Sequence, residues 1–459
     1  MTDPIDRPRR RLVGTLLLAG AAGSLVPGCA LFAAKKSAMA ERRVVVLTSY
    51  AEELVQRFQQ AFEQKYPDAR VEVLWRHSAD ALAYLRRGGM AEIDVYWTPA
   101  PRNFALLKQE GRFARLTLDR AALPPAIGGT AISDPDGYYA AFELAGYGIA
   151  YNPEAVRKLG LPPPRDWGDL ADPAYRGKVQ MPIPGRVGFA PVMAEIVLQG
   201  EGWDKAWATF SAIAANVDFG SGDRSPDTDE VAAGHKAARM SIDFFITPSR
   251  RNADPAAGEL AFVYPPKTAF NPSHVGISAQ APHPEMAKAF VDFVLSAPAQ
   301  EMLLEPAVRR LPVRRDVYAA HPELTVRPFD GDGLAYDDEL RRDRQGLVAA
   351  LFDIAIVQPH VEALALWNDL DRADREGRGS AARRAEIRAL LGTVPVSDEA
   401  QRDEKLRRLF AFPDREPGKP ELPPSPERLA IEARWKAEVK DRLAAARRLL
   451  QALQSKSTL

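Results

Sequence analysis

A chain of 459 residues, 46% of them hydrophobic, is too long for one small domain and apolar enough to build ordinary packed cores, so two lobes or more are expected. Lys+Arg and Asp+Glu both number 61, and the absence of a basic block beyond the N-terminus argues against a nucleic-acid partner. Six histidines without metal-ligand spacing, and no GxSxG elbow, Walker loop or HExxH motif, give catalysis, a metal or a cofactor nothing to rest on. The chain therefore does not read as an enzyme.

At the N-terminus, Arg7, Arg9, Arg10 and Arg11 precede a charge-free apolar run from Leu12 to Val26, the shape of an export signal. The run is broken by Gly14, Gly20 and Gly23 and falls short of the roughly 20 residues that a spanning helix needs. It ends at Val26-Pro27-Gly28-Cys29, and Cys29, the only cysteine, has no partner for an internal disulfide. A cysteine behind a small residue at this point resembles a bacterial lipobox, in which the thiol takes a diacylglycerol chain. The expectation is a signal peptide over 1–28 and a tether over 29–42, with the protein anchored on the extracytoplasmic face of a membrane. Cleavage at Ala38-Met39-Ala40 would instead leave a soluble periplasmic form, and Arg9-Arg10-Arg11-Leu12-Val13 leaves the Sec and twin-arginine routes both open.

From Arg43 the pattern becomes regular. Val44-Val45-Val46-Leu47 is a buried-strand run, Glu52 to Lys65 has helical spacing, and the pair recurs as a strand at Arg70 to Trp75, a helix at Ala79 to Arg87, a strand at Ile93 to Trp97 and a helix at Arg102 to Glu110. This βαβαβ order predicts a parallel sheet whose ligand lies beyond the strands' carboxyl ends. Those exits read Thr48-Ser49-Tyr50, Arg76-His77-Ser78 and Trp97-Thr98, each with a hydroxyl. A second α/β segment starts near Tyr147, with strands expected at Lys178 to Met181, Asn216 to Phe219 and Ser241 to Ile246 and a helix at Trp203 to Ala215.

The first lobe is thus expected over 43–142 and 247–328 and the second over 143–246, with Val46 and Val179 on different sheets. After about Leu334 strand signals give way to charged, alanine-rich helices, a C-terminal extension over 335–459. Its helices are expected at Asp337 to Leu351 running on to Asp374, at Ser380 to Leu391 and at Pro426 to Gln454, with a proline-rich linker from Pro413 to Pro426. The last helix carries Leu429, Ala433, Val439, Leu443, Ala446, Leu450 and Leu453 among many basic residues, which suits packing on the body or a membrane-facing surface.

The helix-forming stretch from His283 to Gln300, His-Pro-Glu-Met-Ala-Lys-Ala-Phe-Val-Asp-Phe-Val-Leu-Ser-Ala-Pro-Ala-Gln, closely resembles a signature of bacterial extracellular solute-binding proteins of the ferric-iron and phosphonate ABC-transporter type. Ser49, Ala150-Tyr151-Asn152, Asp166-Trp167-Gly168-Asp169-Leu170, Asp172 to Lys178 and Tyr264-Pro265-Pro266-Lys267 occur in that family's order. The resemblance covers roughly Arg43 to Pro328, and the extra C-terminal helices resemble the phosphoglycerate transport regulatory subgroup. It implies an α/β, two-lobed periplasmic-binding-protein fold, type II-like, with a hinge that closes on the ligand, plus the helical extension. In iron-binding members adjacent tyrosines hold the metal, whereas the corresponding stretch here reads Asp243-Phe244-Phe245, which has no phenol to give up a proton.

A small organic anion, phosphoglycerate-like or carboxylated, is the expected ligand. Thr48, Ser49, Tyr50, Ser78 and Thr98 would serve it from one lobe and Arg186, Ser221 and Arg224 from Gly-rich loops of the other, with Lys267 possible and Asp243 accepting a ligand hydroxyl. The resemblance implies an ABC permease as partner; a membrane histidine kinase is the alternative, and a monomer is expected.

Overall fold

The computed structural model describes residues 42–119, 121–219, 229–246, 259–330, 333–412 and 423–455. Cys29 and the export signal, and Ser221 and Arg224, lie outside the described residues.

β1 (Arg43–Thr48) alternates between two cores, Val44 and Val46 facing one and Val45 and Leu47 the other. It is apolar throughout because both faces are covered. Leu54, Val55, Phe58 and Phe62 of α1 (Glu52–Lys65) fall three or four apart and form one buried stripe. β2 (Arg70–Trp75) then pairs in parallel with β1 from Arg43 opposite Arg70 to Thr48 opposite Trp75. α2 (Ser78–Arg86), β3 (Val95–Thr98) and α3 (Pro101–Gln109) complete the expected βαβαβ unit. β3 begins two residues late because the Asp94 carboxylate enters the ladder, accepting from the Val45 and His283 backbone amides at 2.7 and 2.6 Å.

Among the elements that the sequence reading missed is β4 (Ala140–Tyr151), twelve residues long against the usual five or six. Further along lie β5 (Val179–Gln180), α4 (Ala190–Glu201), α5 (Trp203–Ala214), β6 (Ala238–Ile242), β7 (Ala261–Val263), β8 (Phe270–Ile277), α6 (Pro284–Val294) and β9 (Leu311–Pro312). The strands run in the order β2-β1-β3-β8-β4-β6-β5, with β7 and β9 also on β4. The first half of β4 pairs with β8 and β9, and its second half with β6 and β7.

Val46 and Val179 consequently stand on one hydrogen-bonded path, not on the two separate sheets expected, because β4 is a single strand common to both parts. The apolar cores nevertheless divide within it. Leu144 belongs to the cluster of Val44, Phe58 and Phe290, and Ala145 to that of Trp167, Trp207 and Met240. The chain returns beside the same point, where Gly146 and Gly148 are bare out of necessity: a Cβ would lie 2.3 Å from the Tyr264 ring or 2.0 Å from the Val263 carbonyl.

Two expected strands are corrected. At Asn216–Phe219 only Val217 bridges to Val179, and Asn216 instead fastens the backbone carbonyls of Leu170 and Asp172 through its amide. β6 stops at Ile242, and Asp243–Ile246 turn as a 3-10 segment, since the Asp243 carboxylate takes the Gly146 N–H at 2.7 Å.

The extension comprises α7 (Asp338–Phe352), α8 (His360–Arg375), α9 (Ala381–Gly392), α10 (Glu404–Phe410) and α11 (Pro426–Ser455). The helix expected to run unbroken to Asp374 has a π turn at Asp353–Val357, and its two parts meet at 60°. The inner face of α11 buries Trp435, Val439, Leu443, Ala446, Leu450 and Leu453 in the second lobe's own core, while Leu429 and Ala433 are exposed. The helix is therefore packed on the body. Among the described residues no single helix is long and apolar enough to cross a membrane.

Candidate functional site

The carboxyl ends of β1 and β3 and the start of α2 meet at a cluster of hydroxyls. Ser49 Oγ lies 2.5 Å from Thr98 Oγ1 and 3.4 Å from Ser78 Oγ. Thr98 is fully buried and props Ser49, while Ser49 and Ser78 are half-buried. Asn103 of α3 donates to the Ser78 carbonyl at 2.7 Å, which fixes the first turn of α2 in place. Free N–H groups in such a turn favour negative charge. Trp75, 52% exposed, stands beside the cluster with its ring edge-on to His77, and its indole N–H donates to the Tyr50 carbonyl.

Thr48 and Tyr50 turn away from this surface. The Thr48 hydroxyl accepts from the Tyr50 amide at 3.1 Å, and the Tyr50 ring packs 5.0 Å from Trp97 with its hydroxyl donating to Glu143 Oε1 at 3.0 Å. Burial first, then the Glu143 charge, raises the Tyr50 phenol well above its ordinary range. Both residues support the strand exit from behind.

Where β4 passes between the cores, the structure assembles a polar floor that sequence reading did not find. Glu143 accepts from Tyr50, from Ser273 Oγ at 2.6 Å and from Arg310 Nη1 at 3.1 Å, and all four side chains are buried. Arg310 also lies 4.3 Å over the Phe244 ring, a residue of the turn after β6. The signal was present: Glu143 is the one carboxylate in the apolar run Ala140–Tyr151, and such a group persists only when paired.

Asp243 borders this floor. One carboxylate oxygen accepts from the Gly146 amide at 2.7 Å and the Tyr264 hydroxyl at 3.1 Å; the other is buried without a partner. Burial pushes its pKa up to about 7, against the lowering effect of the Gly146 hydrogen bond and the Arg310 charge. Phe244 and Phe245 occupy the stretch where the resemblance would put tyrosines, and among the described residues no group of three or more His, Cys, Asp or Glu is arranged to hold a metal.

The remaining expected residues stand apart. Lys267 is exposed and its ammonium caps α4 by donating to the Gly200 carbonyl at 2.9 Å. Arg186, in the loop before α4, lies 3.3 Å from Asp353 of the extension's π turn, both side chains about one-third exposed. The structure thus joins Ser49, Ser78 and Thr98, sets Asp243 at the crossing, and ties Arg186 to the extension.

Residues 100–327 match the model of the family described as bacterial extracellular solute-binding protein, which bears out the resemblance read from the sequence. Among particular proteins, the chain is 27% identical over 367 residues to the phosphoglycerate transport regulatory protein PgtC of Salmonella typhimurium, covering 79% of this chain and 88% of the relative. It is 24% identical over 200 residues to iron uptake protein A1 of Synechocystis, covering 40% and 54% respectively. A solved structure of the periplasmic binding protein AfuA from Actinobacillus pleuropneumoniae, with exogenous fructose-6-phosphate bound, aligns over 65% of this chain and 93% of its own at 22% identity and a TM-score of 0.48.

Proposed function

We propose that the protein captures a small organic anion, phosphoglycerate-like or carboxylated, in the cleft between its lobes and delivers it to an ABC permease. The observation that carries this reading is the meeting of Ser49, Ser78 and Thr98, hydroxyls from three separate strand exits, at the first turn of α2. The hydroxyls can donate to the ligand, and the free N–H groups of that turn add donors without adding acceptors, which suits an anion better than a polyamine or a metal cation. The relative named for phosphoglycerate transport supports the same ligand class. In this reading Asp243 accepts a ligand hydroxyl, Arg186 and the undescribed Ser221 and Arg224 approach from the second lobe, and the β4 crossing flexes as the lobes close. The protein binds and releases its ligand unchanged, tethered to the membrane through Cys29.

A second role is favoured by the word regulatory in that relative's name: presenting the closed form to a membrane histidine kinase. Both roles use the same closure and the same ligand, and differ only in which membrane protein responds. Transport in vesicles containing the permease separates them from kinase autophosphorylation.

Calorimetry of the mature protein against 3-phosphoglycerate, citrate and putrescine tests the ligand class. Binding of an anion is expected, and Ser49→Ala is expected to weaken it roughly 2- to 12-fold, the worth of one net hydrogen bond. Tight binding of putrescine or ferric iron with no anion bound overturns the reading.

A further inference from the structure

Resting on that anion reading, we infer that Arg310 is a ligand-binding residue: the free edge of its guanidinium forms the cleft floor and receives the ligand's charged group. The side chain is only 8% exposed, yet a single nitrogen, Nη1, is engaged, at 3.1 and 3.4 Å from the two Glu143 oxygens. Nε–H and the two Nη2 hydrogens have no acceptor among the described residues. A buried guanidinium carries five donors and normally fills them, so three spare donors in a fixed plane match a carboxylate or phosphate edge.

The neighbours hold that plane instead of occupying it. Phe244, from the second lobe's turn, lies 4.3 Å beneath the guanidinium and Tyr50 lies 5.9 Å away, both by their ring faces. Glu143 Oε1 also accepts from Tyr50 and Ser273, and Arg310 meets this carboxylate through Nη1 alone, so Glu143 orients the fork from one end only. The backbone supports the same view, because Arg309 is the one non-glycine residue with positive φ among those described, at 43°, and this turn delivers Arg310 to the crossing. Left-handed strain in a bulky residue tends to accompany functional sites. Arg310 also reaches both cores, from beside β9 to the turn after β6, so a ligand on it touches the two parts that must approach on closure.

Glu143 neutralises Arg310, and Asp243 stands nearby, where an ionised carboxylate would repel an anion. The buried setting of Asp243 keeps it protonated toward neutrality, leaving it to offer or accept a hydrogen bond without opposing the ligand's charge.

Calorimetry with 3-phosphoglycerate on the full mature chain decides the matter, using wild type, Arg310→Gln, Arg310→Lys and Glu143→Gln, each checked for folding by circular dichroism. Arg310→Gln is expected to lose about 10- to 150-fold in affinity, and Arg310→Lys, which keeps a cation for Glu143 but lacks the planar fork, to recover at most part of it. Glu143→Gln keeps an acceptor for Tyr50 and leaves the guanidinium unneutralised, so it is expected to bind the anion more tightly. Equal weakening by Glu143→Gln and Arg310→Gln would mark a merely structural pair and overturn the inference. So would wild-type affinity in folded Arg310→Lys and Arg310→Gln. A wild-type protein that binds no anion would overturn the underlying reading as well, which is a different result.

Discussion

The first lobe covers its part of the sheet with helices from its own sequence: α1 and α6 lie on the Val44 and Val46 face, and α2 and α3 on the Val45 and Leu47 face. The second lobe draws part of its cover from the far end of the chain. Trp167, Trp207 and Phe210 share one core with Leu347 and Phe352 of α7 and with Trp435 and Leu443 of α11. Two buried ion pairs follow the same division: Glu143 with Arg310 lies at the crossing, and Glu195 with Arg344 lies along the seam with the extension. Similar ion pairs therefore have different neighbourhoods, one at the β4 crossing and one at the joint with the extension.

The seam should be the more costly to break. Arg344 donates to both Glu195 oxygens and to Gln401 while stacking 5.2 Å from Trp203, and neither charged side chain is more than 5% exposed. Arg344→Ala leaves Glu195 buried and unpaired, an expected loss of about 3–5 kcal/mol by urea denaturation. The double change to methionine at both positions removes the uncompensated charge and is expected to recover most of that loss. Hydrogen exchange should show the damage in α4, α5 and α7 with α1 and β1 still protected. Uniform loss across both lobes would erase the distinction between seam and cleft.

The legibility of the two lobes in the sequence differs for the same reason. β1 to α3 could be read almost to the residue, because strands and helices that pack on their immediate neighbours carry their periodicity locally. β4 could not, since a strand that serves two cores has no single buried face, and Glu143 and two glycines interrupt its apolar run. The hydroxyl cluster was legible from strand exits alone. Arg310 was not, because nothing near Arg309-Arg310-Leu311 distinguishes an arginine folded into the crossing from a surface one. Arg186 was read as an anion ligand and Lys267 as an addition to it, and in the structure one meets the extension and the other caps a helix.

Asp243 gives the next test of the contrast between cleft and seam. Its folded pKa is raised to about 7, so the native state keeps a proton that the unfolded chain has already released. Stability attributable to this group therefore falls as pH rises from about 4 to about 7 and is level outside that window. An amide at this position cannot titrate, so Asp243→Asn should gain on wild type in urea melts across that interval. Arg310 and Glu143 act on the same carboxyl with opposite signs, and Tyr264 donates to it, so the variant should leave the seam's exchange protection unchanged. Parallel pH slopes for the two proteins would show that Asp243 is ionised in the fold.

The smallest expected effect concerns Arg186, which belongs to neither category. It precedes α4 and meets Asp353 where α7 gives way to the π turn. At 3.3 Å, with each side chain 35% exposed, the pair is worth about 0–1 kcal/mol. Replacing Asp353 with asparagine should barely move the melting temperature. If Arg186 must leave Asp353 to serve the ligand, the same change releases it, and affinity for 3-phosphoglycerate should rise by no more than about 5-fold, the equivalent of that pair energy. Arg186→Ala should then lower affinity, and the two variants would have opposite signs. Unchanged calorimetric affinity in both would assign Arg186 to the extension alone and leave the first lobe and Arg310 to hold the anion.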